Sequence, residues 1–414
     1  MDGAMALRSD ADTIIQDVLE DVLPDKAVRQ VLERTHFQEG KIILISVGKA
    51  GWQMAKTASD MLGERITQGI VITKYKHSKG ELPGIQVMEA AHPVPDENSF
   101  KATQEALRLV QNLTAEDTVL FLLSGGGSSL FEKPLVEKKT IEFITQQLLN
   151  CGADIVEINT IRKRLSGVKG GRFALACEPA KICNIILSDI IGDPLDMIAS
   201  GPTAEDKTTC EQAMEVVKKY SLQITDEVKT HLQEETPKIL NNIETYVTGS
   251  VKCLCEAAVK SCEKLGYETA ILTTSLTCEA KEAGSFLASI ARENQSTNKS
   301  LAFIAGGETV VQVTGTGKGG RNQELAISAA AGISGLQNTI IFSIGSDGSD
   351  GPTDAAGGFV DGETQNKLKE KGILISDVLQ NNDAYHALQA SGGLIITGAT
   401  GTNVNDVAVI LIKR

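Results

Sequence analysis

The sequence predicts a soluble α/β protein of two domains, each a three-layer α/β/α sandwich, and three observations carry that prediction. The chain has 414 residues, more than one hydrophobic core usually organises. Short runs rich in Ile, Val and Leu recur along it and end abruptly in Gly, Ser, Thr or Asp. Several of these runs lead into helical periodicity. Continuous apolar strands alternating with helices predict parallel sheets covered on both faces.

In order, Ile42–Val47 predicts a strand running into Gly48-Lys49-Ala50-Gly51 and then a helix from Trp52 to Leu62. Ile70–Thr73 is the next strand. Thr118–Leu123 runs into Ser124-Gly125-Gly126-Gly127-Ser128-Ser129, and Ile182–Leu187 into Ser188-Asp189. The polar stretch Ser221–Asn242 marks the division, placed at 1–236 and 237–414. A second unit then begins with Tyr246-Val247-Thr248, a helix through Ala257 to Leu265 and a strand Thr269–Leu272. Leu301–Ala305 meets Gly306-Gly307-Glu308-Thr309, Thr339–Ile344 meets Gly345-Ser346-Asp347, and Leu394–Thr397 meets Gly398-Ala399-Thr400. In such folds ligands bind beyond the carboxyl ends of the strands, where these small polar residues fall.

Composition narrows the function. Hydrophobic residues at 42% and charged residues at 22% are ordinary globular values. The net charge of −13 disfavours nucleic acid or an anionic membrane as partner. Eight cysteines show no metal-ligand spacing and read as scattered thiols in a reducing compartment. Met1–Glu20 is charged throughout, unlike a secretory leader, and no apolar run reaches the roughly 20 residues of a membrane span. The expectation is a cytoplasmic protein, monomer or homodimer.

Four motifs carry chemistry. Three successive glycines in Ser124–Ser129 let backbone N–H groups approach an anion, and the serines add hydroxyls; the plain alternative is a tight turn. Lys49 follows a strand and precedes a helix, where its ammonium and the helix dipole can meet one anion, though a solvated loop lysine looks the same. This is no Walker A loop, because Ala50 stands where Ser or Thr is required. Arg162, Lys163, Arg164, Lys169 and Arg172 form a basic run able to neutralise phosphates or a carboxylate, or simply an exposed helix face. Gly315-Thr316-Gly317-Lys318-Gly319-Gly320 matches G-x-G-x-x-G, a weak dinucleotide signal. Val310–Thr314 before it reads as a hairpin edge rather than a first Rossmann strand. Arg321 at the following helix start opposes the dipole unless an anion offsets it. Aspartates at 189, 193, 196, 347, 350 and 354 are candidates for metal or proton handling, or for turns. His92, beside Pro93 and Pro95, reads as a structural or wall residue.

Together these segments resemble the class II glycerate kinases, whose C-terminal part is the MOFRL domain. The resemblance spans nearly the whole chain in order, from Ser46–Ala50 and Ala91–Asp96 through the triple glycine, Ile158–Lys163, Leu187–Asp189 and Ser200–Thr203. It continues through Gly306–Thr309, Gly319–Glu324, Asp347–Asp354 and Thr400–Asp406. One departure is Ala399, where the family pattern has proline. The resemblance implies a Rossmann-like first domain, a distinct α/β second domain and an active site in the interdomain cleft. It implies ATP-dependent phosphorylation of D-glycerate to 2-phosphoglycerate, with ATP and Mg²⁺ required. The family's essential lysine and arginine fall on Lys49 and Arg321. Asp189 is the further catalytic candidate, for orienting the hydroxyl or a metal. Ser124, Gly125, Gly126, Gly127, Ser128, Ser129, Glu308 and Thr309 are the phosphate-binding candidates. Arg162, Asn322 and Asp347 are candidates for substrate, and Asp189 and Asp350 for metal. The rival readings are an NAD(P)-dependent hydroxypyruvate reductase and a non-catalytic binder of sugar acids or nucleotides.

Overall fold

The computed structural model describes residues 3–414, so the first two residues of the stretch weighed as a leader lie outside it. The chain divides into two compact units: one comprises residues 27–248, the other residues up to Lys26 together with 249–414.

The first unit is built on a six-stranded sheet. Its strands are β1 (Ile42–Val47), β2 (Ile66–Lys74), β3 (Ile85–Ala90), β4 (Thr118–Leu123), β5 (Lys181–Leu187) and β6 (Ile243–Gly249), in the order β3-β2-β1-β4-β5-β6. The pairs β2–β3, β1–β2, β1–β4 and β4–β5 are all parallel. Every residue of β1 and β4 is buried, because helices cover both faces and give the strands no polar side. One layer packs Ile43, Ile45, Phe121 and Phe173; the opposite one packs Leu44, Met54, Leu120 and Ile185. This strand order reverses direction between β1 and β4, the crevice where such sheets bind ligands.

The second unit has β7 (Glu268–Leu276), β8 (Leu301–Gly307), β9 (Thr339–Gly345), β10 (Gly357–Asp361), β11 (Leu394–Ile395) and β12 (Asp406–Ile412), in the order β11-β10-β9-β12-β8-β7. Only β7–β8 is parallel; β12 runs antiparallel to both β8 and β9, and β10 to β9. The expectation of parallel sheets therefore holds for the first unit and fails for the second. An apolar run reports burial on both faces, and strand direction is a separate property. Helix Arg321–Gly332 packs on this sheet through Leu325, Ala326, Ile327 and Ala330. The hairpin edge expected at Val310–Thr314 is reduced to one bridge between Val310 and Glu279.

The division also differs from the expected 236/237 boundary. Tyr246-Val247-Thr248 does not begin the second unit, because it lies in β6, at the edge of the first sheet. Helix Gly3–Asp21 belongs with the second unit, tied there by Tyr267 and Lys413 donating to Asp10 and Ser261 donating to Asp17. Those partners lie more than two hundred residues away in sequence, beyond the reach of a local reading.

Candidate active site

In the first unit the loops after β1, β4 and β5 emerge side by side, because the three strands are in parallel register. The β1 and β4 turns are stitched together: Lys49 N–H donates to Gly125 O (2.9 Å), Ser124 N–H to Val47 O (2.9 Å), and Ala50 N–H to Ser124 Oγ (3.1 Å). Ser124 is buried and its hydroxyl is thus structural, as is that of Ser129, which donates to Gly126 O (3.2 Å). Glycine is required here by close approach. A Cβ on Gly125 would stand 2.4 Å from Asp189 Oδ2, and one on Gly127 2.7 Å from the Ala199 methyl. Gly126 has φ of +93°, and a Cβ there would meet His92 Cδ2 at 3.1 Å and Lys49 Cγ at 3.4 Å. Lys49, His92, Gly125, Gly126 and Asp189 therefore share one small region at the β1/β4 crevice.

Lys49 is half-buried, and its carbonyl oxygen lies 3.1 Å from His77 Nδ1. Burial, then Lys49, Lys74 and His77, push the His92 imidazole below its ordinary pKa. The lysine thus stands beside an imidazole whose charged form is disfavoured.

The basic run points inward, contrary to the exposed-face alternative. Lys163, Arg164 and Lys169 are at most 1% exposed. Lys163 pairs with Asp196 (2.9 Å) and Asp206 (3.2 Å), and Arg164 with Asp206 (3.6 Å) and Glu235 (3.3 Å). Arg172 donates to the carbonyls of Lys163, Arg164 and Ser166. Arg162 alone of the five, half-buried, has no hydrogen bond or ion pair among the described residues, and it lines a pocket with Pro93, Pro95 and Glu132.

In the second unit the start of helix Arg321–Gly332 is a second polar cluster. Asp350, 2% exposed, accepts from Asn322 N–H (3.2 Å) and Gln323 N–H (2.9 Å), and from both their side-chain amides. It is an N-cap supplied from another loop, with four N–H donors on its two oxygens. Arg321 is held by Asp406 through Nε–Oδ2 (2.5 Å) and Nη2–Oδ1 (3.0 Å), and by Glu308 (3.3 Å). The anions that offset Arg321 at this helix start are thus the chain's own carboxylates. Burial pushes Asp406 up to about 6 against the pull of Arg321. Asn322 is 1% exposed and its Oδ1 accepts from Ser343 Oγ (2.5 Å), which makes it a framework residue. Thr309 is buried; half-buried Asp347 accepts from Ser349 N–H (2.9 Å).

The G-x-G-x-x-G segment does not offer a pyrophosphate cradle. The amides of Thr314 and Gly315 donate to Asn382 Oδ1, those of Thr316 and Gly317 to Asn381, and that of Lys318 to Asp383. Its glycines are explained by this packing: a Cβ on Gly315 or Gly317 would fall within 2.6 Å of Asn381 O.

Two features escaped the sequence reading. Ala199, Ser200 and Gly201 have φ of 50°, 60° and 66°, a left-handed run, and Ser200 Oγ donates to Asn159 Oδ1 (3.0 Å). Its only sequence signal is Gly201-Pro202. Asp406 closed the Thr400–Asp406 segment of the resemblance but was given no role, because nothing local shows that it opens β12 beside Arg321.

Among the described residues no group of three or more His, Cys, Asp or Glu side chains is arranged to hold a metal ion. No helix among them is long and apolar enough to cross a membrane.

Comparison with known proteins places this geometry. Residues 10–233 match the family described as domain of unknown function DUF4147, and residues 301–406 match the MOFRL family. The chain is 50% identical to the D-glycerate 2-kinase of Thermotoga maritima over 98% of its own length and 99% of that protein's. It is 42% identical to the glycerate 2-kinase of Pyrococcus horikoshii, over 90% and 88% of the two chains. The crystal structure of the Thermotoga maritima glycerate kinase superposes with a TM-score of 0.96, covering 99% of this chain and all of that one. The chain belongs to the glycerate 2-kinase family that carries the MOFRL domain.

Proposed function

We propose that this protein transfers the γ-phosphoryl group of ATP to the 2-hydroxyl of D-glycerate, giving ADP and 2-phosphoglycerate. The observation that carries the reading is the glycine turn at the β1/β4 crevice, where Gly125 packs against Asp189 and Gly126 against His92 and Lys49. The bond between the γ-phosphorus and the β,γ-bridging oxygen breaks as the hydroxyl oxygen bonds to that phosphorus, and the hydroxyl proton is released. Such a transfer asks little covalent chemistry of the protein; positioning and charge stabilisation do most of it.

In this reading the Ser124–Ser129 turn receives the nucleotide phosphates through its backbone, since Ser124 and Ser129 spend their hydroxyls internally. Lys49 neutralises charge on the transferring group. Arg321, with its orientation set by Asp406 and Glu308, supplies the second cation, and Arg162 is the candidate for the glycerate carboxylate. Asp189 orients the hydroxyl or holds Mg²⁺. A nucleotide-bound Mg²⁺ needs only one or two carboxylates besides phosphate oxygens, so the donor set fits; when bound, the ion would screen phosphate charge. Eight free cysteines accord with a reducing cytoplasm.

The test is paired. The protein is incubated with D-glycerate, Mg²⁺ and ATP while ADP is followed, then with hydroxypyruvate and NADH. Glycerate-dependent ADP without NADH oxidation supports the kinase. NADH oxidation without ADP would establish the reductase, and neither would leave a binder.

A further inference from the structure

Lys169 came out of the sequence as one of five basic residues available to an anion, yet its ammonium is spent inside the fold. It is fully buried, and its three N–H donors meet three acceptors: Ser128 O (2.8 Å), Phe131 O (3.0 Å) and Glu132 Oε2 (2.9 Å). Ser128 lies in the helix Gly127–Leu130, only four residues long, and Phe131 is its C-cap. So short a helix leaves carbonyls at its end without following amides, and the lysine takes their place. The next two residues of the same turn grip a second segment: Gly170 N–H donates to Ser200 O (3.0 Å) and Gly171 N–H to Gly201 O (2.7 Å). That segment carries Ala199, whose methyl fills the space beside Gly127. The Lys169–Gly171 turn thus holds the exit of the glycine turn from one side and its packing partner from the other.

We propose that Lys169 is a positioning residue for phosphoryl transfer, fixing the Ser124–Ser129 turn through the carbonyls of Ser128 and Phe131 without touching either substrate. The proposal rests on the nucleotide role given to that turn above. A buried ammonium is a costly way to hold a turn, and an apolar residue of similar volume often packs as well or better. What the apolar residue lacks is the three-point grip. The charged groups facing Lys169 are Glu132, which favours its charge, and Arg162, which opposes it; burial opposes it most.

The experiment compares the full-length wild type with Lys169→Met and Glu132→Gln by circular dichroism, nucleotide binding without glycerate, and steady-state kinetics against pH. Lys169→Met should stay folded, weaken ATP binding, and lower kcat/KM for ATP by about 10- to 100-fold. KM for D-glycerate should stay within about two-fold, since only uniform binding lost at that site would raise it. Glu132→Gln removes the group that favours the ammonium, so its activity should fall away at a lower alkaline pH than the wild type's. A folded Lys169→Met with wild-type ATP binding and turnover overturns the proposal, as does equal loss for both substrates in step with lost folded protein. Should Lys169→Met not fold, Glu132→Gln decides: a pH profile superimposing on the wild type's refutes the role. A wild type that binds ATP but forms no glycerate-dependent ADP would refute the kinase reading instead, leaving Lys169 to be judged on nucleotide binding.

Discussion

Asp406 opens β12 almost fully buried and clasps Arg321 through two hydrogen bonds, and replacing it with asparagine tests whether that clasp matters. The substituted amide would keep one acceptor and turn an NH₂ group toward a guanidinium N–H. One charge-assisted hydrogen bond, worth about 1.5–3 kcal/mol, is lost, so Asp406→Asn should lower kcat/KM by about 10- to 100-fold. The pH dependence is more diagnostic. Burial, reinforced by Asp350, raises the Asp406 carboxyl from 3.8 to about 6 despite Arg321 and Asn322. Between those values the folded chain holds a proton that the unfolded chain has released, so folded stability declines as pH rises through the window, by about 3 kcal/mol in all. The charged clasp follows the opposite course, complete only above about 6. Wild-type kcat/KM should therefore show an acid limb near pH 6 that is absent in Asp406→Asn. Coupled ADP release and thermal melts across the acid range measure both. An acid limb that persists unchanged in the variant, or a wild-type profile flat through that pH, refutes the reasoning.

Three further outcomes are expected. Lys49→Ala and Arg321→Ala should each lower kcat on the order of a thousand-fold while circular dichroism stays that of the wild type; near-normal turnover removes that residue from the mechanism. Gly126→Ala places a side chain at φ of +93°, against His92 and Lys49. It should lose most activity for a stability loss of only about 1–2 kcal/mol, and full activity would contradict the close-approach account. Asp206→Ala removes the fully buried carboxylate shared by Lys163 and Arg164, leaving them only the more exposed Asp196 and Glu235, and should destabilise by about 3–5 kcal/mol in denaturant titrations. Although burial pushes the Asp206 carboxyl up, Lys163, Thr208 and Thr236 hold it below 3.8. Its contribution is therefore present above the unfolded value and lost as pH falls through the folded one; a wild-type melt insensitive to acid would contradict that.

Much of the first unit was legible because its signals are local. An all-apolar strand followed by Gly-Ser or Gly-Lys marks a buried parallel strand and its ligand edge, and β1 and β4 show both. Less was legible where meaning comes from a distant partner. Lys163 and Arg164 read equally as anion binders or as an exposed helix face until Asp196 and Asp206 are seen beside them. Asp350 read as a metal ligand because nothing local reveals that it caps a helix beginning twenty-nine residues earlier in the chain. The glycines of 315–320 gave only a weak dinucleotide signal, and close packing against Asn381 and Asp383 accounts for Gly315 and Gly317. Strand direction in the second sheet depends on β12, the last strand, entering between β8 and β9.

The central claim is that a phosphoryl group passes to the 2-hydroxyl of D-glycerate, and proton-coupled ³¹P NMR of the reaction mixture tests it most directly. Phosphate on the 2-oxygen is coupled to the single proton of its carbon and should appear as a doublet growing with ADP. A signal split by the two protons of the 3-carbon, or ADP accompanied only by inorganic phosphate, would contradict the account.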